Sequence, residues 1–317
     1  MIRRLILPCT ASLLIYLILF AAVLDRPLSL GMFRTQIDAT LARGAAASGP
    51  KLAIVAGSNG PYSHRCETIE PLLGRPCVNA GIAVGIGLEY LFARWRPLLK
   101  PGDVVYLPLE EVQYTRAAAA LGPDAAIMFR HDRATLATMP TDIWIGAAFS
   151  SGLRALLMSG IETGLVLAGF DDPRAAAGGF RNAWGDRAGH GPDRPGANPA
   201  FLARVTPRHE TADRIETGAG TATIVAFVEW AGRHDVIVVG GLPAGFADSP
   251  IPPDTKAAIA LVFTAHGARF IDPGARYPRS AFFDTPDHLA EPAQIAHSRL
   301  IAAELALILA PAREARR

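Results

Sequence analysis

The feature that most narrows the fold is an alternation of short, wholly apolar runs with amphipathic stretches, beginning at Lys51. Leu52–Ala56 reads as a buried strand, Tyr62–Leu73 as a helix, Cys77–Ala80 as a second strand, Gly87–Leu99 as a helix and Val104–Leu109 as a third strand. The second helix is the best defined, because Leu88, Leu91, Phe92, Trp95, Leu98 and Leu99 make one continuous face at helical spacing. Lys100-Pro-Gly-Asp103 stops it and turns the chain into the next strand. The alternation resumes with a helix over Thr221–Arg233, a strand at Val236–Gly241, a helix over Thr255–His266, a short strand at Phe270–Ile271 and a closing helix, Glu291–Leu309. Apolar runs separated by amphipathic helices predict an α/β fold, a parallel sheet covered on both faces. Ligands bind such sheets beyond the carboxyl ends of the strands, where Ser58, Asn79, Gly81 and Glu110 fall on this reading.

Between about 112 and 220 the alternation fails. Tyr114–Leu121, Ala134–Thr138 and Trp144–Leu167 look helical, and Gly169–Pro199 is rich in Gly, Pro, Asp and Arg. With 317 residues, 50% of them hydrophobic, the chain has material for one large domain, 51–317, interrupted by this block as an insertion. The insertion either caps a site or is a surface excursion with no role in chemistry.

Ahead of the domain lies Leu5–Leu24, twenty residues without a charge, preceded by Arg3-Arg4 and closed by Asp25-Arg26-Pro27. About 20 apolar residues span a bilayer core, so residues 1–24 read as an N-terminal transmembrane helix and anchor. A cleaved signal peptide is the alternative. The positive-inside rule keeps the arginines cytoplasmic and sends the rest outward, into the periplasm from a bacterial inner membrane. Residues 25–50 then form a juxtamembrane helix, with Phe33, Ile37 and Leu41 on one face, and a linker from Gly44 to Pro50. Of three cysteines, Cys9 lies in the apolar run, while Cys66 and Cys77 are a candidate disulfide in an oxidising compartment or else two buried thiols. A net charge of +2 without an extended basic block argues against nucleic acid as partner.

Ser58 would be lifted to the sheet edge by the Gly57-Ser-Asn-Gly60 turn, and a serine there is a nucleophile if a base can take its proton. Of eight histidines only His288 sits in a loop after the last strand with carboxylates beside it in sequence, Asp284 and, as the alternative acid, Asp287. The remaining histidines are scattered without metal-ligand spacing, so neither a metal nor another cofactor is expected.

The Gly-Ser-Asn start, Val78-Asn79-Ala80-Gly81, the segment from Leu99 to Glu110 and Phe-Asp-Thr-Pro-Asp-His-Leu at 283–289 resemble the SGNH hydrolase superfamily, the GDSL-type esterases. The likeness covers roughly 51–111 and 235–309 and is greatest to membrane-anchored periplasmic members that act with exopolysaccharide systems, cellulose among them. It implies a flavodoxin-like, SGNH-type three-layer sheet, with Ser58 as nucleophile, His288 as base, and the N–H groups of Ser58 and Gly81 in an oxyanion hole. Three departures stand out: Ala56-Gly57 replaces the usual Gly-Asp, Thr285 stands three residues before His288 where the family has its Asp, and Pro108-Leu-Glu-Glu111 replaces the Gly-x-Asn-Asp motif that supplies an oxyanion asparagine. Asn79 and Asn182 are candidate substitutes for that donor. Losing such a donor typically costs on the order of 100-fold to 1000-fold in turnover.

The resemblance therefore implies an esterase or O-acyltransferase acting on an exopolysaccharide or its acyl donor, with a membrane-bound acyltransferase or polysaccharide synthase as candidate partner. The competing expectation is a non-catalytic subunit that keeps the fold and binds glycan or a secretion component. The Arg181–Asp186 segment either brings Trp184 to a sugar or Asn182 to the site, or is an ordinary turn.

Overall fold

The computed structural model describes residues 2–19, 31–116, 132–149, 164–170 and 181–310, with Met128, Leu157, Gly160 and Ile161 between them. The chain divides into two compact units, one of residues 1–35 and 121–178, the other of 36–120 and 179–317. The second holds a five-stranded sheet: β1 (Leu52–Ile54), β2 (Cys77–Asn79), β3 (Val104–Pro108), β4 (Ile237–Gly241) and β5 (Arg269–Ile271). All neighbours are parallel and the order is β2-β1-β3-β4-β5, so the chain reverses direction across the sheet between β1 and β3.

Period-two alternation sorts the strand residues onto two covered faces. Leu52, Ile54, Val104, Tyr106 and Val239 pack with Ile69 of helix Cys66–Leu73 and with Ile301 and Leu305 of helix Glu291–Leu309. The other face carries helices Ala219–Arg233 and Pro253–Thr264, with Leu88–Trp95 beside them, where Phe92 and Phe227 stack at 4.0 Å. The result is a three-layer α/β unit, as the alternation of apolar runs requires. Burying one such aromatic or aliphatic side chain contributes about 1.5–3 kcal/mol.

Two elements differ from the sequence expectation. The helix read as Tyr62–Leu73 is broken into Asn59–Ser63 and Cys66–Leu73 by extended backbone at His64 and Arg65. The break is stabilised from afar: Asp186 accepts the N–H groups of Cys66 and Glu67, and Ser298 Oγ accepts that of Arg65. The linker read from Gly44 is partly helical, since helix Gly31–Ala46 runs through it. From Gln36 on, this helix belongs to the sheet unit, burying Ile37, Thr40 and Leu41 and sending Arg43 to the Cys77 carbonyl and the Glu70 carboxylate. Cys66 and Cys77 are joined by a disulfide, their Cα atoms 5.2 Å apart, which ties helix Cys66–Leu73 to the edge strand β2.

Within the first unit, helix Ile2–Leu19 exposes every side chain from Leu5 to Leu19 except the half-exposed Tyr16. Residues 20–24 of the predicted anchor lie outside the described residues. Among the described residues no helix is long and apolar enough to cross a membrane. In the insertion, helices Arg133–Leu136 and Thr141–Phe149 form where the sequence suggests helix. Most of Trp144–Leu167 beyond Phe149 falls outside the described residues.

At the amino end of the sheet, Lys51 and Asp103 form an ion pair that is almost wholly shielded from solvent. Asp103 also accepts the N–H groups of Lys51 and Lys100 at 2.8 Å each, and Lys51 Nζ donates to the Leu98 carbonyl at 2.7 Å. One carboxylate thus ties β1 to the turn that feeds β3. Removing one partner of such a pair strands a charge without solvent, so Asp103→Ala is expected to lower unfolding free energy by about 3–5 kcal/mol. Chemical denaturation followed by circular dichroism measures it, and a loss under about 1 kcal/mol would show that the pair is dispensable.

Candidate active site

Three loops meet beyond the carboxyl ends of β1, β2 and β3. Ser58 follows β1 as the residue preceding helix Asn59–Ser63, in right-handed helical backbone. Gly81 follows β2, and the two turns touch: a Cβ on Gly81 would lie 2.7 Å from the Gly57 carbonyl oxygen and 2.9 Å from the Gly60 Cα. Only glycine fits that approach, which sets the Gly81 backbone beside the serine turn.

His288 reaches the same point from the other end of the chain. Its Nε2 is 2.8 Å from Ser58 Oγ and its Nδ1 is 2.7 Å from Asp284 Oδ1. The loop that carries Asp284 and His288 is closed on itself, with Phe282 bridged to Leu289, the Phe283 N–H donating to the His288 carbonyl and the His288 N–H to the Thr285 carbonyl. This tight closure brings together side chains four residues apart. Asp284, not Asp287, therefore meets the imidazole. The Asp287 main-chain carbonyl accepts from Ser63 Oγ, and Ser63 Oγ in turn accepts from the Leu289 N–H, so the helix after Ser58 grips the loop of His288.

The imidazole is clamped as well as hydrogen-bonded. Tyr62 lies parallel to it at 4.0 Å, with Phe283 stacked behind Tyr62 and His190 against its edge. Arg187 holds its guanidinium 5.6 Å from the centre of the Tyr62 ring. Burial raises the Tyr62 phenol above its ordinary range and lowers His190 to about 4, so both are neutral near pH 7. Gln294 of the last helix donates to the carbonyls of Pro61, His64 and Arg187, fastening this side of the site to the closing helix.

The two candidate substitute donors are occupied elsewhere. Asn79 is fully buried, and its Nδ2 donates to the Gly60 and His64 carbonyls and to Asp186 Oδ1, three acceptors for two hydrogens. Asn182 closes its own turn: its Oδ1 accepts from Trp184 and Asp186, and its Nδ2 donates to Glu67 and Asp186. Nor is Trp184 turned to a sugar. Its Nε1 donates to Glu70, and the Arg43 guanidinium lies 4.8 Å from its ring centre.

The sequence reading missed the role of 181–190. Arg181 donates to the carbonyls of Gly81 and Gly185, and burial lowers its guanidinium to about 10. Asp186 joins Asn79, Cys66, Glu67 and Asn182 in one buried network. Burial raises the Asp186 carboxyl while those hydrogen bonds pull it back. The Asn-x-x-x-Asp spacing of 182 and 186 was the available signal, since an asparagine that accepts two N–H groups makes a tight turn.

Beside the triad opens a cleft of about 180 Å³ lined by Glu110, Glu111, Arg208, His209, Arg276 and Asp287 among others. His209 bridges Glu111 and Ser249 across its wall, at 2.8 and 3.3 Å. Among the described residues no group of three or more His, Cys, Asp or Glu could hold a metal ion. No protein-family model matches the chain, and neither a curated protein nor a solved structure matches it.

The network assigns Asn79 to the framework. Asn79→Ala would remove one donor each from the Gly60 and His64 carbonyls and from Asp186, at a cost of about 1–3 kcal/mol. A denaturation midpoint lowered accordingly is the expected result, and an unchanged midpoint would return Asn79 to the list of candidate substrate donors.

Proposed function

We propose that the chain is a serine esterase or O-acyltransferase of the SGNH type, with the flavodoxin-like sheet of that class, working outside the cytoplasm on an acylated polysaccharide or its acyl donor. The observation that carries this reading is the unbroken chain Ser58–His288–Asp284, at 2.8 and 2.7 Å, at the point where the sheet order reverses. In doubly wound sheets that crevice is where ligands bind.

His288 takes the Ser58 proton on Nε2 as Oγ attacks the acyl carbon, and Asp284 keeps the other ring nitrogen protonated and the ring oriented. The carbonyl oxygen, now negative, turns toward the N–H groups of Ser58 and of Gly81, whose bond to Asn79 Oδ1 at 3.4 Å is the one it displaces. As the intermediate collapses, His288 returns the proton to the departing alcohol oxygen. The acyl group stays on Ser58 until water or a sugar hydroxyl, deprotonated by the same imidazole, removes it.

The setting rests on separate supports. The Cys66–Cys77 disulfide favours an oxidising compartment such as the periplasm. The apolar run from Leu5, with its exposed helix, favours tethering to the inner membrane, beside a membrane-bound acyltransferase or polysaccharide synthase.

Purified protein is expected to hydrolyse an activated acetyl ester and to be labelled on Ser58 by a serine-directed phosphonate. Ser58→Ala and His288→Ala should each lose at least about 1000-fold in kcat/KM, and the double variant little more, because triad members act as a unit. Ser58→Ala should leave unfolding free energy within about 0.5 kcal/mol of wild type. A protein inert to both reagents that still binds glycan as Ser58→Ala would instead be a non-catalytic binding subunit.

A further inference from the structure

Glu110 is a half-buried acid whose side chain takes part in the capping box of helix Glu111–Thr115. It follows β3 directly, and its backbone N–H donates to Gln113 Oε1 at the start of helix Glu111–Thr115. Its side-chain Oε1 is shielded from solvent and has no hydrogen-bond partner. That oxygen sits over the turn that presents the nucleophile, 2.8 Å from where a Cβ on Gly57 would stand, one residue from Ser58. A polar atom without a partner in a dry place is costly, typically about 1–3 kcal/mol, and is retained where something arrives to use it.

The charge state decides what it can do. Burial, reinforced by Asp287, raises the Glu110 carboxyl to about 8, against the pull of the Asn59 N–H and Arg116. Burial likewise raises Asp287 to about 6, so two acids share one cleft and both resist ionisation. The charged and titratable groups facing Glu110 are Asp287, Arg116 and, around the cleft, Glu111, Arg208, His209 and Arg276. Near pH 7 Glu110 is a neutral acid with an O–H to donate. Ionised, it would place a negative charge beside the position where acyl transfer develops one.

We propose that Glu110 is a catalytic residue of the Ser58 site: as the neutral acid it donates its O–H to the carbonyl oxygen of the bound ester while that oxygen becomes negative. The proton remains on Glu110 throughout, so the residue stabilises charge and leaves acid–base chemistry to His288. A carboxylic acid kept neutral by an apolar setting is a strong donor of this kind. The inference rests on the esterase reading of Ser58 and His288, and it makes the site dependent on pH from the alkaline side. A group raised to about 8 is protonated and useful below that pH, and its contribution is lost as pH rises through it.

The test is the pH profile of kcat/KM for an activated acetyl ester, with the full-chain protein and its Glu110→Gln and Glu110→Ala variants, alongside phosphonate labelling of Ser58. Wild type is expected to fall about tenfold per pH unit above the Glu110 transition, as loss of a required proton dictates. Glu110→Gln, the same shape with an amide donor that cannot ionise, should stay within about fivefold of wild type at pH 7 and lose the alkaline fall. Glu110→Ala should drop on the order of 100-fold at pH 7, the typical cost of one such donor. An alkaline fall that persists unchanged in Glu110→Gln, or full activity in Glu110→Ala, overturns the role of Glu110 while phosphonate labelling of Ser58 leaves the esterase reading standing. Absence of both labelling and turnover in wild type overturns the two together.

Discussion

The carboxamide of Asn79 is the joint on which the candidate site hangs. Its nitrogen serves the Gly60 and His64 carbonyls and the Asp186 carboxylate, so the end of β2, the short helix after Ser58 and the 181–187 segment share one buried donor. The Asn79 N–H adds a bond to the Trp184 carbonyl at 2.8 Å. These partners come from two other stretches of chain, so the arrangement is stable only when all three stretches are in place. The serine turn is therefore oriented by the interior of the domain, not by its own local preference for a Gly-Ser-Asn-Gly turn.

Around this joint lie several groups whose charged forms burial disfavours. His64 and His190 are both lowered to about 4, Tyr62 is raised, and Glu110 and Asp287 resist ionisation. The Asp284–His288 pair has the direct hydrogen bond that a developing imidazolium requires. A low-polarity surround strengthens that bond, and it makes an unneeded charge close to Ser58 expensive. The same physics accounts for Tyr62 lying flat on His288. The ring excludes water from one face of the imidazole and limits the orientations it can sample.

Much of this was legible in the sequence, and the boundary of legibility has physical causes. Parallel strands buried on both faces write themselves as uninterrupted apolar runs, so all five strands of the sheet and the helix Glu291–Leu309 could be read directly. Ser58, His288 and Asp284 were readable because the turn and the loop that hold them are local. The choice of Asp284 over Asp287 depended on how tightly 282–289 closes, which spacing alone does not encode. The break at His64–Arg65 was not legible because its partners lie more than a hundred residues away, at Asp186 and Ser298, and the same distance hid the Asn79 bond to Asp186. The 181–190 segment lacks periodicity for a related reason. It is stabilised by side-chain bonds to backbone rather than by a repeating apolar face, and such bonds leave no regular trace in the sequence.

The separation of the triad along the chain carries a consequence for its dynamics. Ser58 and His288 are 230 residues apart, and they are held together by a small number of long-range bonds: Ser63 to Asp287 and Leu289, and Gln294 to Pro61, His64 and Arg187. The Gln294 bonds come from helix Glu291–Leu309, which lies against helices Asn59–Ser63 and Cys66–Leu73. Arg65 adds an ion pair to Glu291 and donates its N–H to Ser298 along the same seam. The seam also packs Ile301 and Leu305 into the core beneath β1 and β3. Opening the last helix would therefore loosen the hold of His288 on Ser58 and unstitch the core in a single event. The site cannot loosen by itself as a surface loop can, and its geometry persists as long as the sheet unit stays folded.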